Sequence, residues 1–471
     1  MKKIIVTLAA LGSLCTEASL ERAQQHYNSG DKNKYPQLVR ELINSEMYFS
    51  AIPFLKEYLA VAPRGRSAEL DKITDDLITK VGVRQFESLD SKLLEKSSAP
   101  TIRYVLAKKS FRAGKYDDAL RFLDRKLDED HAIKPFALLL EGSIFAVQKK
   151  NEEALRAFKE CVSVSESRVK EANSPERQRQ LKITRDYCLI GIPRVQFAAQ
   201  AFDKAYSTYL DLEKTSYIWP EILFEEAWTS FYLRDFNRTL GKLVTYKAPM
   251  FGYIFNPEIE VLNALTYMEM CLWNDSKKVV DSFYVSYEKD FDEYRRFLNS
   301  LGKDYRQYYL LIKDLKDGKL KVNPLIGRAL LAISRDATYI ELFDAFNLGR
   351  EEIERLKGMR DSSLKSALNN SLRESLTLHR NLIGGYIRGQ LKLYENQMVR
   401  SFEDMSYIKL EILSRRKSEL YEDLSVDGAS RKRGDIVNLK RTDKQYFWNF
   451  NGEFWADELG DYVFSLKSEC R

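Results

Sequence analysis

Histidine, paired cysteines and glycine-rich loops are scarce in this chain, and their scarcity removes most catalytic chemistries. The three histidines, His26, His131 and His379, stand alone in the sequence, with no ligand-spaced neighbour of the H-E-x-x-H kind. The five cysteines contain no C-x-x-C pair, which argues against structural zinc. Neither a phosphate-binding G-x-x-x-x-G-K-[ST] nor a G-x-S-x-G nucleophile elbow occurs. The expectation is a protein with no cofactor, no metal and no enzymatic activity.

Net charge is also small: 75 basic against 69 acidic residues leave +6 over 471 positions, with the signs interspersed. That pattern carries no nucleic-acid footprint. Arg415-Arg416-Lys417 and Arg431-Lys432-Arg433 are local exceptions, read as solvated runs with an anionic partner as the alternative.

Long hydrophobic runs are missing except at the start. Lys2 and Lys3 precede the apolar stretch Ile4 to Leu14, the length of a signal-peptide core and short of the roughly 20 residues needed to span a bilayer. Cleavage after Ala18 leaves small residues at the exit. Lipidation of Cys15 is the lesser alternative, because Leu14 stands where a small residue is wanted. The expected location is therefore exported and periplasmic. Cleavage would leave Cys161, Cys188, Cys271 and Cys470, an even number that suits an oxidising compartment. Cys161 and Cys188 flank the polar segment 166–185 and form the candidate disulfide; two ordinary buried thiols are the alternative.

Proline is absent after Pro324, whereas upstream it recurs at Pro36, Pro63, Pro100, Pro135, Pro220, Pro249 and Pro257 among others. Between these breakers apolar residues recur at three and four, as in Tyr104, Leu106, Ala107 and Phe111 followed by Tyr116, Ala119, Leu120 and Leu123. Each interval reads as an antiparallel helix pair. The segments from Gly114 to Leu120 and from Lys150 to Phe158 are two copies of one signal, with Ala119 and Ala154 one repeat apart. Further copies run through Phe202, Ala205 and Tyr209, through Tyr48, Ala51 and Leu55, through Ala227, Phe231, Phe236 and Leu243, and across 257–291.

Small residues where helices cross, an aromatic ring one turn later and an alanine in the second helix resemble the tetratricopeptide (TPR) pattern, best matched by Gly142, Phe145, Ala154 and Phe158. A small side chain lets two backbones approach while the ring fills the groove beside it. The segment from Ser67 to Ser97 has helical periodicity without those positions and reads as a connecting helix pair. The resemblance implies an all-α, TPR-like solenoid, and hence a scaffold that holds partners.

From Asn347 onward the series Leu364, Leu368, Leu372, Leu376, Ile383, Ile387, Leu391, Tyr394, Met398, Phe402, Met405, Ile408 and Ile412 reads as one or two long helices. Gly384-Gly385 calls for a kink or a tight crossing there. These helices form either a projecting stalk, able to self-associate, or a bundle folded back along the solenoid. After a polar linker comes an aromatic end, in which the segment from Asp461 to Leu466 has the pattern of a short strand. Trp448, Phe450, Gly452, Glu453, Phe454, Trp455, Asp457, Glu458, Leu459 and Gly460 resemble the terminus of exported TPR scaffold proteins of gliding and predatory deltaproteobacteria.

The implied organisation is 1–18 signal peptide, 19–97 N-terminal helical TPR-like region, 98–292 TPR-like solenoid, 293–346 connecting helices, 347–425 long helices, 426–445 linker and 446–471 aromatic C-terminal element. The expected function is a non-catalytic scaffold for protein partners in the periplasm or cell envelope, in an envelope or motility complex. Tyr104, Lys108, Arg112, Leu138, Glu141 and Phe145 form the candidate partner-binding region. The alternative is a protein that binds or cleaves peptidoglycan through Glu453, Asp457 and Glu458 beside Trp448, Phe454 and Trp455. That reading needs converging carboxylates in an open cleft and fails if the two tryptophans are buried.

Overall fold

A computed structural model describes residues 18–62, 67–123, 127, 128, 130–172, 174–421 and 444–470, with side chains of the last helix described up to Arg415. The export signal, Cys15, the run Arg431-Lys432-Arg433 and nearly all of the linker lie outside the described residues.

The chain is an all-α repeat protein. Helix α1 covers 18–28. It is followed by α2 (Tyr35–Asn44), α3 (Tyr48–Val61), α4 (Ala68–Val81), α5 (Arg84–Glu87), α6 (Ser91–Leu94), α7 (Pro100–Arg112), α8 (Tyr116–Leu123), α9 (Lys134–Val147) and α10 (Asn151–Glu171). Then come α11 (Pro175–Ala198), α12 (Phe202–Tyr209), α13 (Trp219–Tyr232), α14 (Phe236–Thr245), α15 (Glu258–Glu269), α16 (Trp273–Leu301), α17 (Tyr305–Lys316), α18 (Pro324–Ser334), α19 (Ala337–Gly358) and α20 (Ser363–Tyr421). Two short strands close the chain, β1 (Trp448–Asn449) and β2 (Tyr462–Val463).

One turn geometry joins the helices of six pairs. Glu46, Gly114, Lys149, Gln200, Arg234 and Cys271 each take a positive φ, between 56° and 72°. Around each, an amide two residues into the turn reaches back to the same helical carbonyl position: Met47 to Leu42, Lys115 to Ser110, Lys150 to Phe145, Ala201 to Gln196, Asp235 to Ser230 and Leu272 to Tyr267, at 2.8–2.9 Å. This is the left-handed helix stop that satisfies orphaned carbonyls and turns the chain back. Five of the six positions carry a side chain, so the turn is held by its bonds and neighbours against a local conformational cost.

Two compact units are present. The first comprises residues 1–184 and 337–384, the second residues 185–336 and 385–471. In the first, Leu38, Leu42, Phe49, Leu55, Ile73, Leu77 and Leu106 share one core with Leu364, Leu368 and Leu372 of α20. Gly142 meets Phe158 so closely that an added Cβ would lie 2.6 Å from the ring, which is the packing the repeat pattern implies. The connecting segment from Ser67 to Ser97 is one helix, α4, and two single turns, α5 and α6, instead of a helix pair, because Gly82 at φ +82° stops α4 and Asp90 starts a new turn.

In the second unit the later turns of α20 also pack inward. Tyr294 donates to the Leu391 carbonyl at 2.7 Å, and the Phe402 ring lies 4.9 Å from that of Phe283 and 5.5 Å from that of Phe291. Of the two arrangements expected for the long helices, the folded-back one is therefore what each unit shows. Helix α20 also runs without a break through Gly384 and Gly385. An added Cβ at Gly385 would lie 3.9 Å from the Tyr305 ring, an ordinary contact, so this glycine is not demanded by a tight crossing with it.

Candidate partner-binding surface

In the first unit the predicted region is partly assembled and partly taken up by the fold itself. Lys108 and Arg112, one turn apart on α7, both reach Glu87, at 2.7 and 2.6 Å, and the Lys108 ammonium lies 5.7 Å from the Tyr104 ring centre. Burial opposes ionisation of Glu87, yet the two cations hold its carboxyl below the usual range. Burial also lowers the pKa of Lys108 and raises that of Tyr104, the latter with help from Glu341 of α19. Tyr104 packs against the cluster of Ala107, Ala119, Leu140 and Ile144. On α9, Leu138 is 4% exposed and belongs to the core, which corrects its expected place in a groove. Glu141 and Phe145 are half-buried, with the Lys150 ammonium 5.9 Å from the Phe145 ring centre. Arg112 is exposed, and Tyr104 and Lys108 are half-buried.

The C-terminal element is built against α13–α15 of the second unit. Strands β1 and β2 pair in parallel, Trp448 with Tyr462 and Asn449 with Val463. The Phe450 ring sits 5.2 to 5.8 Å from those of Phe454, Tyr462 and Phe464. Gly460 donates to Thr245 Oγ1 at 3.0 Å, and its carbonyl accepts from Lys242 Nζ at 3.3 Å. Asn237 acts as a backbone clamp: its main-chain carbonyl accepts from Phe464, its Oδ1 accepts from the Leu466 amide and its Nδ2 donates to the Leu466 carbonyl. Phe464 and Leu466 pack against Leu240, Met270 and Leu272.

Three features fix this tail in place. At Gly241 an added Cβ would lie 1.6 Å from the Tyr462 carbonyl oxygen, so the helix must be bare there for the tail to lie against it. Lys242 and Glu226 form an ion pair buried to 3% and 4% exposure beneath Gly460. Burial penalises the Lys242 ammonium, but Glu226 more than offsets this and raises its pKa. Cys470 is disulfide-bonded to Cys271 at the α15–α16 turn, 199 positions away in sequence. The expected strand is thus present but limited to Tyr462 and Val463, because Phe464 and beyond bond to α14 and α15 instead of to a strand.

The predicted acidic group lies on the surface of the C-terminal element. Glu453 and Asp457 are exposed and Glu458 is half-buried, and none of the three cavities described next is lined by them. Trp448 and Trp455 remain 42% and 57% exposed, so the rings are displayed on the surface. The acid that does structural work is Asp461, whose carboxylate holds Lys214 at 2.7 Å while the Asp457 carbonyl accepts from the same ammonium at 3.0 Å.

Beside this platform lies a cavity of about 480 Å³, with walls that include Tyr217, Trp219, Met250, Phe251 and Tyr253, and with Ala456 and Leu459 of the tail as one side. The Arg335 guanidinium lies 4.2 Å from the Tyr253 ring centre. A second cavity of about 240 Å³ shares the Phe251 wall, and a third of about 490 Å³ shares Lys247, Glu260, Tyr287 and Arg328 with the second. Among the described residues no group of histidine, cysteine and carboxylates is arranged to hold a metal ion.

Sequence reasoning missed Asn237, Gly241, Lys242, Arg335, Lys247 and Arg328. A glycine inside the apolar pattern of α14 was a visible signal of close backbone approach. The others carry no local pattern, and Asn237 and Lys242 meet partners more than 200 residues away in sequence.

No protein-family model matches the chain, and no curated protein matches it. Solved structures similar to it include the apo form of RapI, at 10% identity over 78% of this chain and 97% of that one, with a TM-score of 0.34. Another is a Rap protein complexed with competence and sporulation factor, at 14% identity over 77% and 99%, with a TM-score of 0.28. The yeast Tom70 structure shares 14% identity over 84% and 100%, with a TM-score of 0.21. At scores this low the reading of the chain rests on its own residues.

Proposed function

We propose that this protein is a non-catalytic scaffold, exported to the periplasm or cell envelope, that holds protein partners through its repeat units. The observation that carries the reading is the covalently stapled aromatic platform of the second unit. Trp448, Trp455 and Tyr446 are exposed on the C-terminal element, whose Ala456 and Leu459 line an apolar cavity with exposed Tyr217, and large rigid rings with a concave apolar wall are the usual anchors of protein interfaces. Export is supported by Lys2-Lys3 with Ile4 to Leu14 and by the Cys271–Cys470 disulfide, a bond that persists in oxidising compartments. No described helix is long and apolar enough to cross a membrane. Participation in an envelope or motility complex belongs to this proposal.

The test is crosslinked capture from an envelope fraction with the full chain and with a chain ending at Ser425. Recovery of a discrete protein by the full chain, and its loss with the truncation, is the expected result. Capture of nothing by either chain would count against a scaffold. A second reading, peptidoglycan binding, is favoured by the exposed rings of Trp448 and Trp455, since sugars stack on such faces. Co-sedimentation of the full chain with purified sacculi, lost in Trp455→Ala, would move the proposal there.

A further inference from the structure

We infer that the row of cavities in the second unit takes an extended acidic segment of a partner protein carrying one bulky apolar side chain. The inference rests on the scaffold reading and names the chemistry of its partner.

Charge is the first argument. Some cations of this unit are matched, as Lys214 at the edge of the first cavity is by Asp461, Lys242 by Glu226 and Arg194 by Glu225. Most of those that line the cavities are not. Lys247 and Arg328 line the second and third, Lys278 the third and Arg335 the first. Among the described residues no carboxylate lies within ion-pair reach of Lys247, Arg328 or Arg335, and Lys278 has Asp275 at 3.6 Å. The one acid in the linings is Glu260, which accepts from Asn263 at 3.4 Å. Three unmatched cations gathered along one row of recesses, Arg328 half-buried and Lys247 and Arg335 exposed, favour an anionic occupant by their summed field.

Shape supplies the second argument. The cavity of about 480 Å³ is walled by Trp219, Phe251, Met250 and Tyr253 and is of a size and apolarity that suits one large side chain with its neighbours. Arg335 and Tyr253 form its cationic side. The second cavity begins at the shared Phe251 wall and continues into the third through Lys247, Tyr287 and Arg328, whose guanidinium lies 5.5 Å from the Tyr287 ring centre. The Ser282 and Ser286 hydroxyls line the far part. Apolar at one end and cationic along the rest, the row fits a segment with an aromatic residue followed by carboxylates. A nucleic acid would need a longer basic stripe and no acid among it.

The experiment is fluorescence anisotropy of the full chain with a fluorescein-labelled peptide in which phenylalanine and glycine precede hexaglutamate. Comparison peptides replace the glutamates with glutamine or the phenylalanine with glycine. The expected result is binding roughly tenfold weaker for the glutamine peptide, and weaker again at high salt. The double variant Lys247→Gln, Arg328→Gln should show about the same tenfold loss, with an unchanged circular dichroism melt. Lys247→Glu alone, at an exposed position, gives a second variant should the double one fold poorly. Lys149→Gln, Lys150→Gln in the first unit should bind normally. Equal affinity for the glutamine peptide, unchanged binding by the Lys247 and Arg328 variants, an equal loss in the control variant, or tighter binding of an oligothymidylate of matched charge would each overturn the inference. Envelope capture that survives in the double variant would also sink it and leave the scaffold reading intact.

Discussion

His379 shows how far a single buried residue can set the pH response of its unit. It is 1% exposed, its Nε2 lies 2.8 Å from the Leu342 carbonyl, and its Nδ1 lies 3.1 Å from the Gln85 amide nitrogen. A carbonyl on one side and an amide donor on the other fit the neutral ring, with Nε2 donating and Nδ1 accepting. Burial, with Arg84 nearby and the Leu342 bond opposing, lowers its pKa from 6.5 to about 4. Because the folded pKa is depressed, the unfolded chain binds more protons between these values, so this residue's contribution to stability is lost as pH falls from 6.5 toward 4. The contribution is about 3 kcal/mol at most. Glu352 acts with the opposite sign: burial raises its pKa despite bonds from Phe49, Ser50 and the Ser50 hydroxyl, so its penalty grows as pH rises through its titration. Urea unfolding of His379→Gln against the parent between pH 4 and 7 should show a gap in pH dependence over this window. Parallel curves would refute the assignment. Gly241 is the other residue with an outsized effect. Gly241→Ala puts a methyl group into the Tyr462 carbonyl and should free the tail, read as new proteolytic cleavage between Leu459 and Cys470 under reducing conditions.

At the scale of elements, the repeat was legible because its physics is local. A small residue against a ring, as in Gly142 and Phe158, and a left-handed stop every pair leave marks within a few residues of each other. What could not be read was where long elements go. The periodicity of α20 says that one face is buried but not against what, so the packing of Leu364, Leu368 and Leu372 on the first core needed the structure. The same holds for the tail: its aromatic content demanded a surface, and the surface is supplied by Asn237, Gly241 and Met270, some 200 residues upstream. Cys470→Ser removes the staple and should lower the stability of the second unit by about 2–4 kcal/mol in denaturant unfolding. A non-reducing peptide map of the parent should contain the Cys271–Cys470 link. The same map tests our proposal, carried over from the sequence, that Cys161 pairs with Cys188; both are fully buried.

For the whole molecule, buried polar groups and exposed cations divide between structural and surface roles. The polar groups that are buried, such as Glu226, Lys242, Glu352 and His379, hold elements together and face no described cavity. The unmatched cations instead line recesses that open to solvent. The bond between Cys271 and Cys470 has a further consequence, in time instead of space. A ribosome adds about 5–20 residues per second, so Cys271 emerges roughly 10–40 s before the partner it must meet. For that interval α14 and α15 present an uncovered apolar strip and a free thiol. The second unit is therefore finished last, and the quality of its assembly depends on what guards that strip while the rest of the chain arrives.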